Sequence, residues 1–313
     1  MSFPGLPQPA PGEVLLVCTC YEDGEARWGD LLDEIEGRSE GDAFVLADGR
    51  VRLRPAEDAG WDDLHGGNVP ALLSGGGPVP PVVVLADIPV AYGGSGPLLV
   101  DAVAVPGRGV RVASVRLGEV LDALLGGALT FDDLVRATDR YGEYLGDGGR
   151  PVFPAPTPRE SCSFPVLPAT DVALLVRTDF GDEPGWLALL DELGGADEDG
   201  FLGADPDAGE TDEDSFPLQV LTVDDQAFEG LSPGQVPALV PAGTDTLLVA
   251  LADARTFAGH GRPLTVVDLY DTPGHIAVVP SRELGSIACN LEIANMDFCD
   301  FVVVEGERPW WEG

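Results

Sequence analysis

The chain has 313 residues, of which 54 are acidic and 17 basic, giving a net charge of −37; every basic residue is Arg, because Lys is absent. That imbalance disfavours direct contact with nucleic acid, whose phosphates need cationic partners, and favours salt-sensitive attraction to a basic protein. The length suits two domains of ordinary size, the composition is that of a globular chain, and no apolar run reaches the roughly 20 residues of a membrane helix.

Residues 1–12 read as a Pro-rich tail, without the basic region and apolar core of a signal peptide. Residues 13–138 are predicted to form a first domain. It opens with a strand over Val14–Thr19, a helix carrying Trp28 and a variable segment, and then reaches Asp58–Leu72 (DAGWDDLHGGNVPAL). Two β-branched apolar runs, Pro81–Ala86 and Pro97–Val105, flank a GGSG loop and have strand character. A strand over Gly109–Ala113 follows. Next comes a helix capped by Ser114 with apolar residues at Leu117, Leu121 and Leu124, and then a short helix from Thr130.

Residues 139–170 carry six prolines and no periodicity, the pattern of a stiff linker. Residues 171–304 then repeat the first domain. The stretch Asp225–Leu239 (DQAFEGLSPGQVPAL) realigns with Asp58–Leu72 at an offset of 167, with Ser232-Pro233 as a helix start. Before it stand a strand over Val172–Thr178 and a helix carrying Trp186, capped by Asp182 with Pro184 in its first turn. After it come strands over Thr246–Ala252, Leu264–Tyr270 and His275–Val279, a helix capped by Ser281 with Leu284, Ile287 and Leu291, and a short helix from Asp297. Residues 305–313 form a tail bearing Trp310 and Trp311. The expected fold class is α/β, with α+β as the alternative: two tandem copies of a layered domain, each with a mostly β central sheet and flanking helices. Pairing of the two copies within one chain is expected.

The second copy carries Thr178-Asp179-Phe180, Val223-Asp224-Asp225, Val266-Val267-Asp268-Leu269-Tyr270-Asp271 and Asn295-Met296-Asp297-Phe298. This pattern resembles a family of small actinobacterial proteins, a domain of unknown function. The resemblance implies no activity, cofactor or catalytic residue. Copy one departs from it, with Thr19-Cys20-Tyr21 for the first motif and Ala128-Leu129-Thr130 for Asn295-Met296-Asp297.

Duplication filters the candidate residues. Asp297 aligns with Thr130, and both are favoured helix caps; capping leaves Asn295 unexplained. Asp101 and Asp268 end apolar strands, and Asp87 and Asp253 follow the preceding strands. Such acids could share a proton, hold a cation or cap turns. With His260 and His275, the acids Asp253 and Asp268 and Asn295 make up the ligand or cation candidates. The acidic insertion, including Asp197, Glu198, Asp199, Asp212, Glu213 and Asp214, lacks EF-hand spacing and is a candidate for contact with a basic surface, as are Trp310 and Trp311. Cys18 and Cys20 share a strand face without the further ligands of a zinc site. There is no HExxH or GxSxG motif, and a P-loop requires Lys. No catalytic residue, metal site or cofactor is expected. The expected function is that of a non-enzymatic acidic binding protein in the cytoplasm, immunity- or inhibitor-like, for a basic protein partner, with neither nucleic acid nor membrane as a direct partner. The alternatives are an enzyme or ligand-binding protein using strand-end carboxylates of copy two, and a structural pseudo-dimer.

Overall fold

The computed structural model describes residues 3–29, 31–73, 79–146, 164–202, 220–241, 243–258 and 261–303. Two compact units emerge, Met1–Thr157 with Val240–Gly243, and Pro158–Leu239 with Thr244–Gly313. Each is an α/β domain built on one mixed sheet.

Copy one has strands β1 (Glu13–Cys18), β2 (Tyr21–Glu22), β3 (Glu25–Ala26), β4 (Arg38–Glu40), β5 (Ala43–Leu46), β6 (Val51–Ala56), β7 (Val82–Ala86), β8 (Leu98–Asp101) and β9 (Gly109–Arg111). Its helices are α1 (Leu31–Glu34), α2 (Val69–Leu72), α3 (Ile88–Ala91), α4 (Leu117–Leu125) and α5 (Phe131–Arg136). The sheet order is β4-β5-β6-β1-β7-β8-β9, with β6, β1 and β7 parallel and the flanking pairs antiparallel. Strand β1 alternates between two cores. Val14 and Leu16 pack with Leu31, Leu117, Leu121 and Phe131, whereas Leu15 and Val17 pack with Trp61, Leu64 and Val69. Burial on both faces is why the central strands are continuous apolar runs rather than alternating ones.

Copy two repeats the plan with β10 (Ala173–Arg177), β11 (Phe201–Leu202), β12 (Val220–Val223), β13 (Leu248–Ala252), β14 (Pro263–Asp268) and β15 (Ile276–Pro280). Its helices are α6 (Glu183–Glu192), α7 (Ala254–Ala258) and α8 (Leu284–Glu292). The order β11-β12-β10-β13-β14-β15 again puts three parallel strands, β12, β10 and β13, beside antiparallel neighbours.

Several expectations shift. Trp28 lies ahead of α1 rather than inside a helix, because the chain first makes the β2–β3 hairpin, with Asp23 and Gly24 at φ 54° and 79°. Ser114 and Ser281 do not cap their helices: each is the first residue of a 3-10 turn, and Ser281 Oγ instead donates to Glu192 Oε1 at 2.7 Å. The short helices at Thr130 and Asp297 start as expected; Thr130 Oγ1 accepts from the Asp133 amide, and Asp133 and Asp300 each accept the N–H of their capping residue.

Both Pro-rich margins are partly body. Phe3 and Leu6 of the tail pack on the Trp61 core, and Trp61 Nε1 donates to the Pro4 carbonyl at 2.9 Å. Residues 139–146 return along the sheet: the Arg111 amide donates to Gly142 O at 3.0 Å, the Tyr144 amide to Arg111 O at 2.8 Å, and the Tyr144 side chain is buried in the core. The first domain therefore extends beyond residue 138. At the far end of the expected linker, Leu167 is buried and its amide donates to Leu239 O at 2.9 Å.

Candidate functional site

In an open α/β sheet, ligands bind outside the carboxyl ends of the parallel strands, where successive connections run to opposite sides. In copy two that point is β10, with β12 on one side and β13 on the other. Three segments far apart in the chain leave the sheet at that edge: Thr178-Asp179-Phe180 after β10, Asp224-Asp225 after β12, and Asp253 after β13.

The centre of this site is Arg177, the last residue of β10 and only 2% exposed. Its Nη1 donates to Glu183 Oε2 at 2.7 Å and to Asp224 Oδ1 at 3.2 Å, and its Nε to the Asp179 carbonyl at 3.2 Å. The guanidinium lies 4.5 Å from the Phe180 ring centroid and 5.5 Å from that of Trp186, so a cation sits between two π faces. Trp186 Nε1 completes the cluster by donating to Asp224 Oδ2 at 3.1 Å. Helix α6 is aimed by its cap, Asp182 Oδ1 accepting the Gly185 amide at 2.9 Å. Asp253 stands apart, bound by its own neighbour: Arg255 Nη2 lies 2.7 Å from Oδ2, and the Arg255 amide donates to Oδ1 at 2.8 Å.

Copy one keeps the outline with different chemistry. Trp28 Nε1 donates to Glu57 Oε1 at 2.6 Å, as Trp186 does to Asp224. The residue in the register of Arg177 is Cys18, whose buried thiol donates to the Cys20 carbonyl at 3.3 Å. Burial pushes the Cys18 and Cys20 thiols up, away from reactive thiolate. Asp87 receives a bidentate clamp from the buried Arg111, at 3.1 and 2.8 Å.

The acids singled out in the sequence are not brought together. Leu248 pairs with Asp268 and Leu251 with Thr265, so Asp253 and Asp268 lie at opposite ends of antiparallel β13 and β14, roughly 16 Å apart at about 3.3 Å per residue. Shared protonation or a joint cation site is thereby removed. No cluster of three His, Cys, Asp or Glu suited to a metal occurs among the described residues.

Asp268 instead organises a loop. Its Oδ1 accepts the amides of Tyr270 and Asp271 at 2.8 and 3.2 Å, and its Oδ2 that of Thr272 at 2.6 Å. Asp101 does the same for the amides of Val103, Ala104 and Val105, at 2.8 to 2.9 Å. What differs is the residue seven places on. In copy one it is Arg108, 1% exposed, with Nη1 2.7 Å from Asp132, Nη2 3.5 Å from Asp101 and the guanidinium 5.4 Å from the Phe131 centroid. These are ionic contacts rather than aligned hydrogen bonds, since no Arg108 nitrogen meets hydrogen-bond geometry. In copy two it is His275, whose ring lies 5.6 Å from that of Phe298. Burial lowers the His275 pKa to about 4. Burial, aided by the Asp271 charge and opposed by the three amides, pushes Asp268 up to about 7.

Asn295 is exposed, and its Nδ2 donates to Asn290 Oδ1 at 2.7 Å, closing the end of α8. Asp197, Glu198 and Asp199 form an exposed turn in which Asp197 Oδ1 accepts the amides of Asp199 and Phe201. His260, Asp212, Glu213, Asp214, Trp310 and Trp311 lie outside the described residues. Sequence reasoning passed over Arg177 and the Trp–carboxylate pairs. A lone Arg closing the apolar run Ala173–Val176, and acids at both Glu57 and Asp224 just ahead of the aligned block, were the available signals.

No helix among the described residues is long and apolar enough to cross a membrane. No curated protein matches the chain. The family model of DUF6924, a domain of unknown function, matches residues 13–147 and again 172–308, so the chain belongs to that family and carries its domain twice.

Proposed function

We propose that this chain is a non-enzymatic acidic binding protein for a basic protein partner, with inhibition or immunity as the sharpest form of that role. The observation that carries the reading is where the cations go. Arg27, Arg50, Arg108, Arg111, Arg177 and Arg262 each pair with a carboxylate of the chain itself. The 37 excess negative charges therefore have no internal counter-charge to meet. A large net negative charge accelerates encounter with a cationic partner and repels nucleic acid. The free, buried Cys18 and Cys20 suit a reducing cytoplasm. The tandem copies allow pairing within one chain, and that pairing belongs to the proposal.

Capture on the immobilised full chain at low ionic strength tests this reading. A basic protein retained at low salt and released near 0.5 M salt is the expected result. Retention of nothing, or of neutral proteins insensitive to salt, would end it.

A further inference from the structure

Copy one contains a cleft of about 590 Å³ between the start of α1, the loop after α3 and the turn that leads into α4. Buried Leu31 and Val90 contribute apolar wall, and Tyr92, 71% exposed, stands at the lip. Among the described residues that line the cleft, Glu34 and Glu143 are acidic and none is an arginine.

Glu143 is the informative residue. Its main chain is fixed by the bridge to Arg111 and by its amide, which donates to Asp139 Oδ1 at 3.0 Å. Its side chain is partly buried and has neither hydrogen bond nor ion pair among the described residues. The cations nearby are engaged elsewhere. Arg111 clamps Asp87, and Arg116 lies 5.1 Å from the Tyr144 ring centroid while its Nη2 reaches Glu119. Burial and the Asp139 charge push the Glu143 carboxyl above its usual range, against the pull of Arg111 and Arg116. A partly desolvated carboxylate that no hydrogen bond or close ion pair among the described residues satisfies gains from a cation brought into the space beside it.

The cleft is also formed in advance. The amides of Gly93, Gly94 and Ser95 donate back to the carbonyls of Val90 and Pro89 at 2.8 to 3.2 Å. A Cβ on Gly96 would lie 2.1 Å from the Val112 carbonyl oxygen, so only glycine lets this loop lie flat against the segment after β9.

We propose that this cleft binds an organic cation, the guanidinium or ammonium head of a basic side chain, between the Glu143 and Glu34 carboxylates and the Tyr92 ring. Carboxylates give a cation charge-assisted hydrogen bonds, and an aromatic face accepts the flat guanidinium by stacking. In its full form the inference rests on the proposed function, because it says where on the anionic surface a basic partner inserts a side chain.

Two probes separate the ideas: butylguanidinium, which tests the cleft alone, and an octa-arginine peptide, which tests the surface as well. Both are titrated calorimetrically into the full chain and into E143Q, Y92A and, as an exposed acidic control on copy two, E229Q. Thermal midpoints are matched first; E143Q is isosteric and Tyr92 is mostly exposed. The expected result is binding of both probes, weakened at least tenfold by E143Q and by Y92A and less than twofold by E229Q. Equal weakening by E143Q and E229Q, or no binding of butylguanidinium, would overturn the cleft assignment while leaving salt-sensitive partner capture standing. Glu143-dependent binding of butylguanidinium without capture of any basic protein would uphold the cleft and sink the partner reading.

Discussion

Arg108 and His275 occupy the same place in the two copies, one residue before a strand and beside an aromatic ring, and they solve one problem in opposite ways. In both copies a buried aspartate holds a loop by accepting three successive amides. Copy one supplies a buried cation to that aspartate; copy two supplies a neutral ring and leaves the carboxyl with its proton to about pH 7. The loop geometry is thus carried by backbone amides, which a duplication preserves, whereas the counter-charge is replaceable. The same lesson holds at the carboxyl ends of the parallel strands, where a Trp–carboxylate bond persists while Arg177 stands against Cys18.

The largest expected effect comes from removing the copy-one cation. Arg108→Ala leaves Asp101 and Asp132 without their buried partner and should cost about 3–5 kcal/mol, the usual loss when half of a buried pair is removed. Urea unfolding followed by tryptophan fluorescence measures it. A loss below 1 kcal/mol would break the contrast with copy two. Arg177→Cys, which writes the copy-one residue into copy two, ranks next at about 2–3 kcal/mol, since its carboxylate partners are partly solvated while the cation is not.

Titration sharpens the comparison further. Folded copy two keeps the Asp268 proton to about pH 7 whereas an unfolded Asp releases it near 3.8, so this residue makes stability fall as pH rises across that interval. An unfolded His binds its proton below 6.5 and folded His275 only near 4, so this residue makes stability fall as pH drops from 6.5 to 4. Between about 4 and 6.5 the two slopes oppose and cancel. His275→Gln should leave stability rising toward acid, and Asp268→Asn should leave it falling toward acid, each by up to roughly 1.4 kcal/mol per pH unit. Parallel pH–stability curves for the two variants would show that one of these groups does not titrate as its burial requires.

The smallest effect lies in the paired caps. Thr130→Ala and Asp300→Ala each remove half of a capping arrangement and should cost about 1 kcal/mol, readable as a small shift of the thermal midpoint. Asp133, held below its ordinary pKa chiefly by the Thr130 side chain, should titrate closer to a free Asp in the Thr130 variant, which NMR of its carboxyl carbon follows.

Much of the fold was legible because central strands buried on both faces must be continuous apolar runs, and because Thr130 and Asp297 could be read against each other. Strand order was not legible. Without it, nothing indicated that Asp179, Phe180 and Asp224 meet around Arg177, or that Asp253 and Asp268 are kept apart. Nor could position 108 be matched in role to position 275, because Arg and His share no residue type; their equivalence rests on the loop around them. The helix expected at Trp28 gives way to a hairpin ahead of it, which follows from a local Asp23-Gly24 turn rather than from any period.

The return of residues 142–144 along β9 bears on where this protein can be cut. A bare strand edge offers its amides to any passing chain and is a template for association. Copy one closes that edge with its own polypeptide, the Arg111 amide and carbonyl both being taken by Gly142 and Tyr144. A fragment ended at residue 138, where composition alone places the boundary, would lose that cover together with a buried aromatic. Such a fragment would self-associate with rising concentration, whereas one ended after Gly146 would keep its edge sealed.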